Sequence, residues 1–220
     1  MFKTGALFDW GATAWVALTV VFFWLSETHA KFREVGAMDT AEFGNGQWWR
    51  CFTATLLHAD LGHLATNAAF GLLLLGLAMG RYGTGVGLLA AFLAGAAGNV
   101  AGWIVYQTGS RSLGASGVVM GALGLLAVQS FGYARRHPNP LKMIIASTVG
   151  GVMLFVLLGL NPGSDVIAHL GGFAAGLVLG TLLSLMPDLI HNPVMNLIAG
   201  FGFALLVIWS WVTALASLIQ

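Results

Sequence analysis

The sequence predicts an all-α, polytopic membrane protein: a six-helix core followed by one C-terminal transmembrane helix. Three observations lead there. Of the 220 residues, 58% are hydrophobic and 8% charged, whereas a soluble domain carries roughly 25% charged residues. This chain has too little polar surface to face water on all sides. The apolar residues also come in blocks close to the roughly 20 residues that a helix needs to cross a bilayer. Finally, 31 glycines suit membrane helices that pack closely through small residues.

Taken in order, span one runs from about Phe8 to Leu25. The longest polar piece follows, Ser26 to Gln47, with Glu27, His29, Lys31, Arg33, Glu34, Asp39 and Glu42. It ends in Trp48-Trp49-Arg50, which reads as an interface anchor of flat amphipathic rings beside a cation. Span two covers about Phe52 to Met79 and span three about Gly85 to Tyr106. Span four runs from Ala115 to about Tyr133, and span five from about Leu141 to Leu160, stopped by Asn161-Pro162-Gly163. Span six covers about Val166 to Leu185, ended by Met186-Pro187-Asp188. A seventh, about Val194 to Ile219, holds no ionisable residue. The core is therefore expected over 1–186, with its chemistry between 48 and 180, and the added helix over 187–220.

Seven spans leave the two ends on opposite sides. Lys3, Arg81, Arg135, Arg136 and Lys142 fall on one side, five cations against Lys31, Arg33, Arg50 and Arg111 on the other. The excess points the N-terminus to the cytoplasm and the first loop outward. No cleavable signal pattern is visible, because the first apolar run is long and no small-residue cleavage site follows it. Cys51 is alone, so no internal disulfide and no cysteine-held metal are expected. A net charge of +1 without a basic tract argues against nucleic acid as a partner. Neither metal nor cofactor is expected.

Ionisable groups inside a span are costly and usually functional. The stretch that stands out is Gly114-Ala115-Ser116-Gly117, a hydroxyl flanked by glycines where a polar segment meets an apolar run. In span two, His63 and Asn67 are four apart and share a helix face. His58 is five residues earlier, about 500° round the same helix, which puts it on another flank, nearer the surface. It and Asp60 read as interface residues. In span six, His169, Gly172 and Gly176 form one stripe. Span four carries a matching stripe of Gly117, Gly121 and Gly124, headed by Ser116. Two such smooth faces can pack and bring Ser116 Oγ within hydrogen-bond reach of His169.

The chemistry follows from what each group needs. A serine hydroxyl becomes a nucleophile when a neighbouring base takes its proton, and histidine does this near neutral pH. The oxyanion formed on attack needs pre-placed donors. His63, the Asn67 amide and the Ser116 backbone N–H, at a helix start where such groups are unpaired, would supply them. Asp165 reads as a helix cap rather than as a partner for His169, so the predicted machinery is a Ser116–His169 dyad.

At this point the residues resemble the rhomboid intramembrane serine proteases. The match lies in His58-x4-His63-x3-Asn67, Gly114-Ala115-Ser116-Gly117 and Ala168-His169-x2-Gly172-x3-Gly176, with Trp49-Arg50 matching the family's first-loop pair. The resemblance implies a Ser116 nucleophile, a His169 base and an oxyanion site of His63, Asn67 and the Ser116 amide. It implies a water-filled cavity below the outer surface, a membrane-embedded first loop, and a cap from about Asn161 to Asp165. Span five would be the element that moves to admit substrate. The substrate would be a transmembrane protein cut near the outer interface, and the setting a bacterial inner membrane. Where many bacterial members carry a tyrosine stacked on the base, this chain has Met120, a softer contact. Three other readings compete: a rhombosortase-like processing protease, a rhomboid-like pseudoprotease that binds membrane clients, and a metal site or transporter built on His58, His63 and His169. The last lacks any His-Glu-x-x-His pattern.

Overall fold

The computed structural model describes residues 8–107, 109–130, 138–160 and 164–219. Lys3, Arg135 and Arg136 of the charge count, and most of the expected cap at 161–163, lie outside the described residues. The helices are α1 (Ala12–Thr28), α2 (Ala30–Gly36), α3 (Thr40–Gly44), α4 (Arg50–Thr53), α5 (Leu61–Tyr82), α6 (Thr84–Tyr106), α7 (Ser116–Ala127), α8 (Pro140–Gly159), α9 (Val166–Ser184), α10 (Pro187–Ile190) and α11 (Pro193–Ala216). Two-residue strands β1 (Met38–Asp39) and β2 (Arg111–Ser112) pair antiparallel. Among the described residues, α5, α6, α8, α9 and α11 are long and apolar enough to cross a membrane, and α1 and α7 are shorter apolar helices. The chain is an all-α, multi-pass integral membrane protein.

Two spans depart from expectation. Span two does not start at Phe52. The chain makes α4 and a short 3-10 turn over Ala54–Leu56, then an extended break before α5 begins at Leu61. Asp60 caps α5 by accepting the His63 N–H at 2.8 Å, and such caps compete with a continuous helix. His58 therefore sits in the break, not on the helix, and the angular reading of its position does not apply.

Span four is the second departure, because α7 has only 12 residues, about 18 Å at 1.5 Å per residue against a hydrocarbon core of about 30 Å. Its last carbonyls are taken by side chains from neighbours: Leu125 accepts from Tyr82 Oη at 2.8 Å and Ala127 from Ser147 Oγ at 2.9 Å. Ser116 is the first residue of this short, buried helix.

Around α7 the packing is nearly backbone on backbone. A β-carbon at Gly172 would lie 2.5 Å from the Gly117 carbonyl oxygen, and one at Gly176 would run into the carbonyl of Gly121. The expected close pairing of the two glycine stripes is present. The third participant, α6, was not anticipated: its Gly95 abuts Val118 of α7, and its Gly98 abuts the Ala168 carbonyl of α9.

Candidate active site

Three helix starts and one loop converge on a cavity of about 1040 Å³. Ser116 enters it from the N-terminus of α7, His63 and Asn67 from the first two turns of α5, and His169 from the first turn of α9. Met120, Leu158, Asp165 and Arg111 also line it. The residues that sequence reasoning grouped on chemical grounds are thus neighbours in space, although they lie up to 106 positions apart.

Gly114 shapes the approach to Ser116. Its φ of 144° lies where side chains are strained. A β-carbon there would meet the His63 ring at 2.7–2.8 Å. Its N–H donates to the Ala54 carbonyl at 3.0 Å, which ties the turn before α7 to the 3-10 turn that follows α4. Glycine is required here because His63 occupies the space a side chain would fill.

Asn67 is buried, 5% exposed, and its Nδ2 has no protein partner among the described residues. An amide donor left unpaired at a cavity wall is costly unless something in the cavity accepts from it. His58 stands behind the site and does not line the cavity. It is wholly buried, with neither ring nitrogen bonded to protein among the described residues. Its ring meets that of His63 edge-on, centroids 5.3 Å apart at 74°. Burial, with a smaller contribution from His63, pushes its pKa down to about 4, so it stays neutral near pH 7. The expectation of an interface residue near the surface is corrected: the extended break tucks His58 under the first loop.

His169 is 5% exposed, and its Nδ1 lies 2.8 Å from the Gly159 carbonyl oxygen at the end of α8. Among the described residues, no hydrogen bond joins Ser116 Oγ to His169, although both residues line the same cavity. Sequence reasoning missed Gly159 because a backbone carbonyl carries no residue-type signal. Asp165 is, as expected, a cap: it accepts from the Ala168 N–H at 3.0 Å, and from Tyr106 Oη at 3.2 Å.

Trp49 and Arg50 secure the first loop, and Arg50 also lines the cavity. Trp49 Nε1 donates to the Val35 carbonyl at 3.3 Å, and Arg50 Nη1 to those of Glu34 and Ala37 at 2.9 and 2.6 Å. Thr53 Oγ1 donates to Gly36 at 2.7 Å. Four successive carbonyls at the end of α2, which a helix terminus leaves unpaired, are thereby satisfied from α4. Arg33 adds a bond to the His58 carbonyl at 3.2 Å.

A family model described as the Rhomboid domain matches residues 45–186, well over half of the chain. The chain belongs to the rhomboid family. Rhomboid protease GluP of Bacillus subtilis is 28% identical over 182 residues, 77% of this chain and 34% of that protein. RHOMBOID-like protein 4 of Arabidopsis thaliana is 31% identical over 166 residues, 74% of this chain and 41% of that protein. Rhomboid protease AarA of Providencia stuartii is 26% identical over 220 residues, covering 84% and 78% respectively. The chain spans about a third of the length of the first of these relatives and about two fifths of the second. Ser116, His169, His63, Asn67 and Gly114 all fall inside the segment that the rhomboid model matches.

Proposed function

We propose that this rhomboid protein is an intramembrane serine endopeptidase that cuts transmembrane proteins near the membrane interface. One observation carries the reading: a hydroxyl, two imidazoles and an unpaired amide, from three helices, share one cavity. Ser116 Oγ attacks the scissile carbonyl carbon as its proton passes to His169 Nε2. The oxyanion is met by His63, the Asn67 amide and the Ser116 N–H in the first turn of α7, where helix N–H groups lack intrahelical partners. The imidazolium then protonates the departing amine, and water later releases the acyl group from Ser116. A hydrogen-bonded helix hides its carbonyls, so the substrate unwinds locally before attack. Gly117, Gly172 and Gly176 let α7 and α9 approach, while Gly114, His58, Trp49 and Arg50 support the pocket. Residues 1–186 form the protease core and 187–220 an added helix. The setting is a bacterial inner membrane, a reading to which the Bacillus and Providencia relatives lend support.

A fluorophosphonate probe applied to the detergent-solubilised protein tests this reading. The wild type should label at Ser116, Ser116→Ala and His169→Ala should not, and Asn67→Ala should slow turnover about 10²–10³-fold. A wild type that takes no probe while remaining folded overturns the protease reading and favours a client-binding pseudoprotease.

A further inference from the structure

Helix α8 is attached to the rest of the protein along a single stripe. Its buried residues are Gly151, Phe155 and Gly159, spaced by four, while Val152, Met153, Leu154, Val156 and Leu157 face outward. The middle of the helix is held through Gly151 against Ala127 and the Ser147 bond to the Ala127 carbonyl. The C-terminal end is held by two contacts with α9. The Phe155 ring stacks on Phe173, centroids 4.8 Å apart at 24°, and the Gly159 carbonyl meets His169 Nδ1 at 2.8 Å. Phe173 is one turn beyond His169 on the same helix. Phe155 also lies over Gly159, its ring 2.8 Å from where a β-carbon would sit.

The chemistry of that carbonyl is specific. A carbonyl oxygen only accepts, so Nδ1 must carry the hydrogen, and a neutral imidazole protonated there keeps its lone pair on Nε2. Nε2 is the atom that has to take the serine proton. In many serine hydrolases a carboxylate imposes this tautomer, and Asp165 is occupied as a cap. The Gly159 carbonyl is available because it belongs to the last turn of a helix, whose C=O groups have no intrahelical partner.

We propose that the Gly159 carbonyl and the Phe155 ring are positioning groups for His169, so that docking of the end of α8 onto α9 holds the base in its reactive tautomer. The inference rests on His169 being the base. When the end of α8 lifts away, the carbonyl leaves with it and the imidazole loses the bond that selects its tautomer. Occupancy of the α8 stripe thus sets how ready the site is.

The test uses the full chain in lipid nanodiscs, ¹⁵N-histidine labelled, with the His169 signals assigned by comparison with His169→Gln. The wild type should show the Nδ1–H form. Phe155→Ala should shift His169 toward the Nε2–H form and slow fluorophosphonate labelling of Ser116 by about tenfold, the size of one net hydrogen bond. Phe155→Leu, which keeps the bulk over Gly159, should retain the Nδ1–H form. Gly159→Ala, whose methyl pushes the Phe155 ring while leaving the carbonyl, gives a second reading if Phe155→Ala does not fold, and it should shift the tautomer in the same direction. An unchanged Nδ1–H signature with equal or faster labelling in the folded variants overturns the proposal and makes α8 a wall only. Labelling of His169→Gln at the wild-type rate would instead overturn the assignment of the base, a separate failure.

Discussion

The cavity has two unlike walls. The first loop, from α2 to the break before α5, is held by directional polar bonds: Arg50, Trp49 and Thr53 on four successive carbonyls, Arg33 on the His58 carbonyl, and Asp39 paired to Arg111 at 2.7 Å across the β1–β2 pair. The other wall, α8, whose Leu158 lines the cavity, relies on one apolar stripe and a few polar contacts. In lipid this difference matters more than buried area does. The bilayer is as apolar as leucine, so burying a membrane helix face yields little hydrophobic gain. Specific bonds and close packing decide which wall is stiff. Helix α11 belongs to the stiff side, for Trp211 stacks on Phe32 and Phe22 with centroids 4.0 and 5.0 Å away, which braces α2.

Arg50→Ala should have the largest effect on this contrast. It strips the Glu34 and Ala37 carbonyls and the Gln47 amide oxygen of a charged donor, a loss of about 3 kcal/mol or more. Thermal unfolding in detergent, with proteolysis at the first loop as a local readout, checks it; an unchanged midpoint would erase the difference between the walls. Trp211→Ala should cost about 1–3 kcal/mol, the worth of two aromatic contacts, and should loosen the first loop before the core in hydrogen exchange.

A smaller effect is expected at Asp39. Burial pushes its carboxyl up, but the Glu42 amide, the Arg111 guanidinium and the Ala41 amide outweigh burial and hold it below the usual carboxylate range. A folded-state value below the unfolded one, near 3.9, stabilises above that pH. The contribution is lost as acid takes the pH down through the lowered value. Asp39→Asn keeps the cap on α3 and removes only the pairing with Arg111, which is 75% exposed, so less than about 1 kcal/mol is at stake. Titrating the unfolding midpoint below pH 4 should show a shallower acid slope in the variant. Leu157→Ala, on the outward face of α8 and 75% exposed, should move the midpoint by less than about 0.5 kcal/mol, and a large drop there would mean that α8 is held more firmly than its stripe indicates.

Much of the site could be read from residue types. His63 with Asn67, and His169 with Gly172 and Gly176, lie on regular helix where spacing reports the face directly. Those placements needed nothing beyond the local chain. His58 was misplaced because the Asp60 cap interrupts the helix, and an apolar sequence on both sides hides that interruption. The extent of α7 was overestimated for a related reason: the residues after Ala127 are apolar enough to continue, and the helix ends where Tyr82 and Ser147 take its carbonyls.

Composition and short-range order therefore pointed to the membrane environment, the approximate spans and the polar side chains that share the cavity, because hydropathy and helical period carry these signals. The short extent of α7, the pairing of β1 with β2, the part played by α6 and the Gly159 carbonyl facing His169 were decided by long-range packing. All four involve backbone groups, which are identical at every position in a sequence and become distinct once the fold determines which partner each one meets.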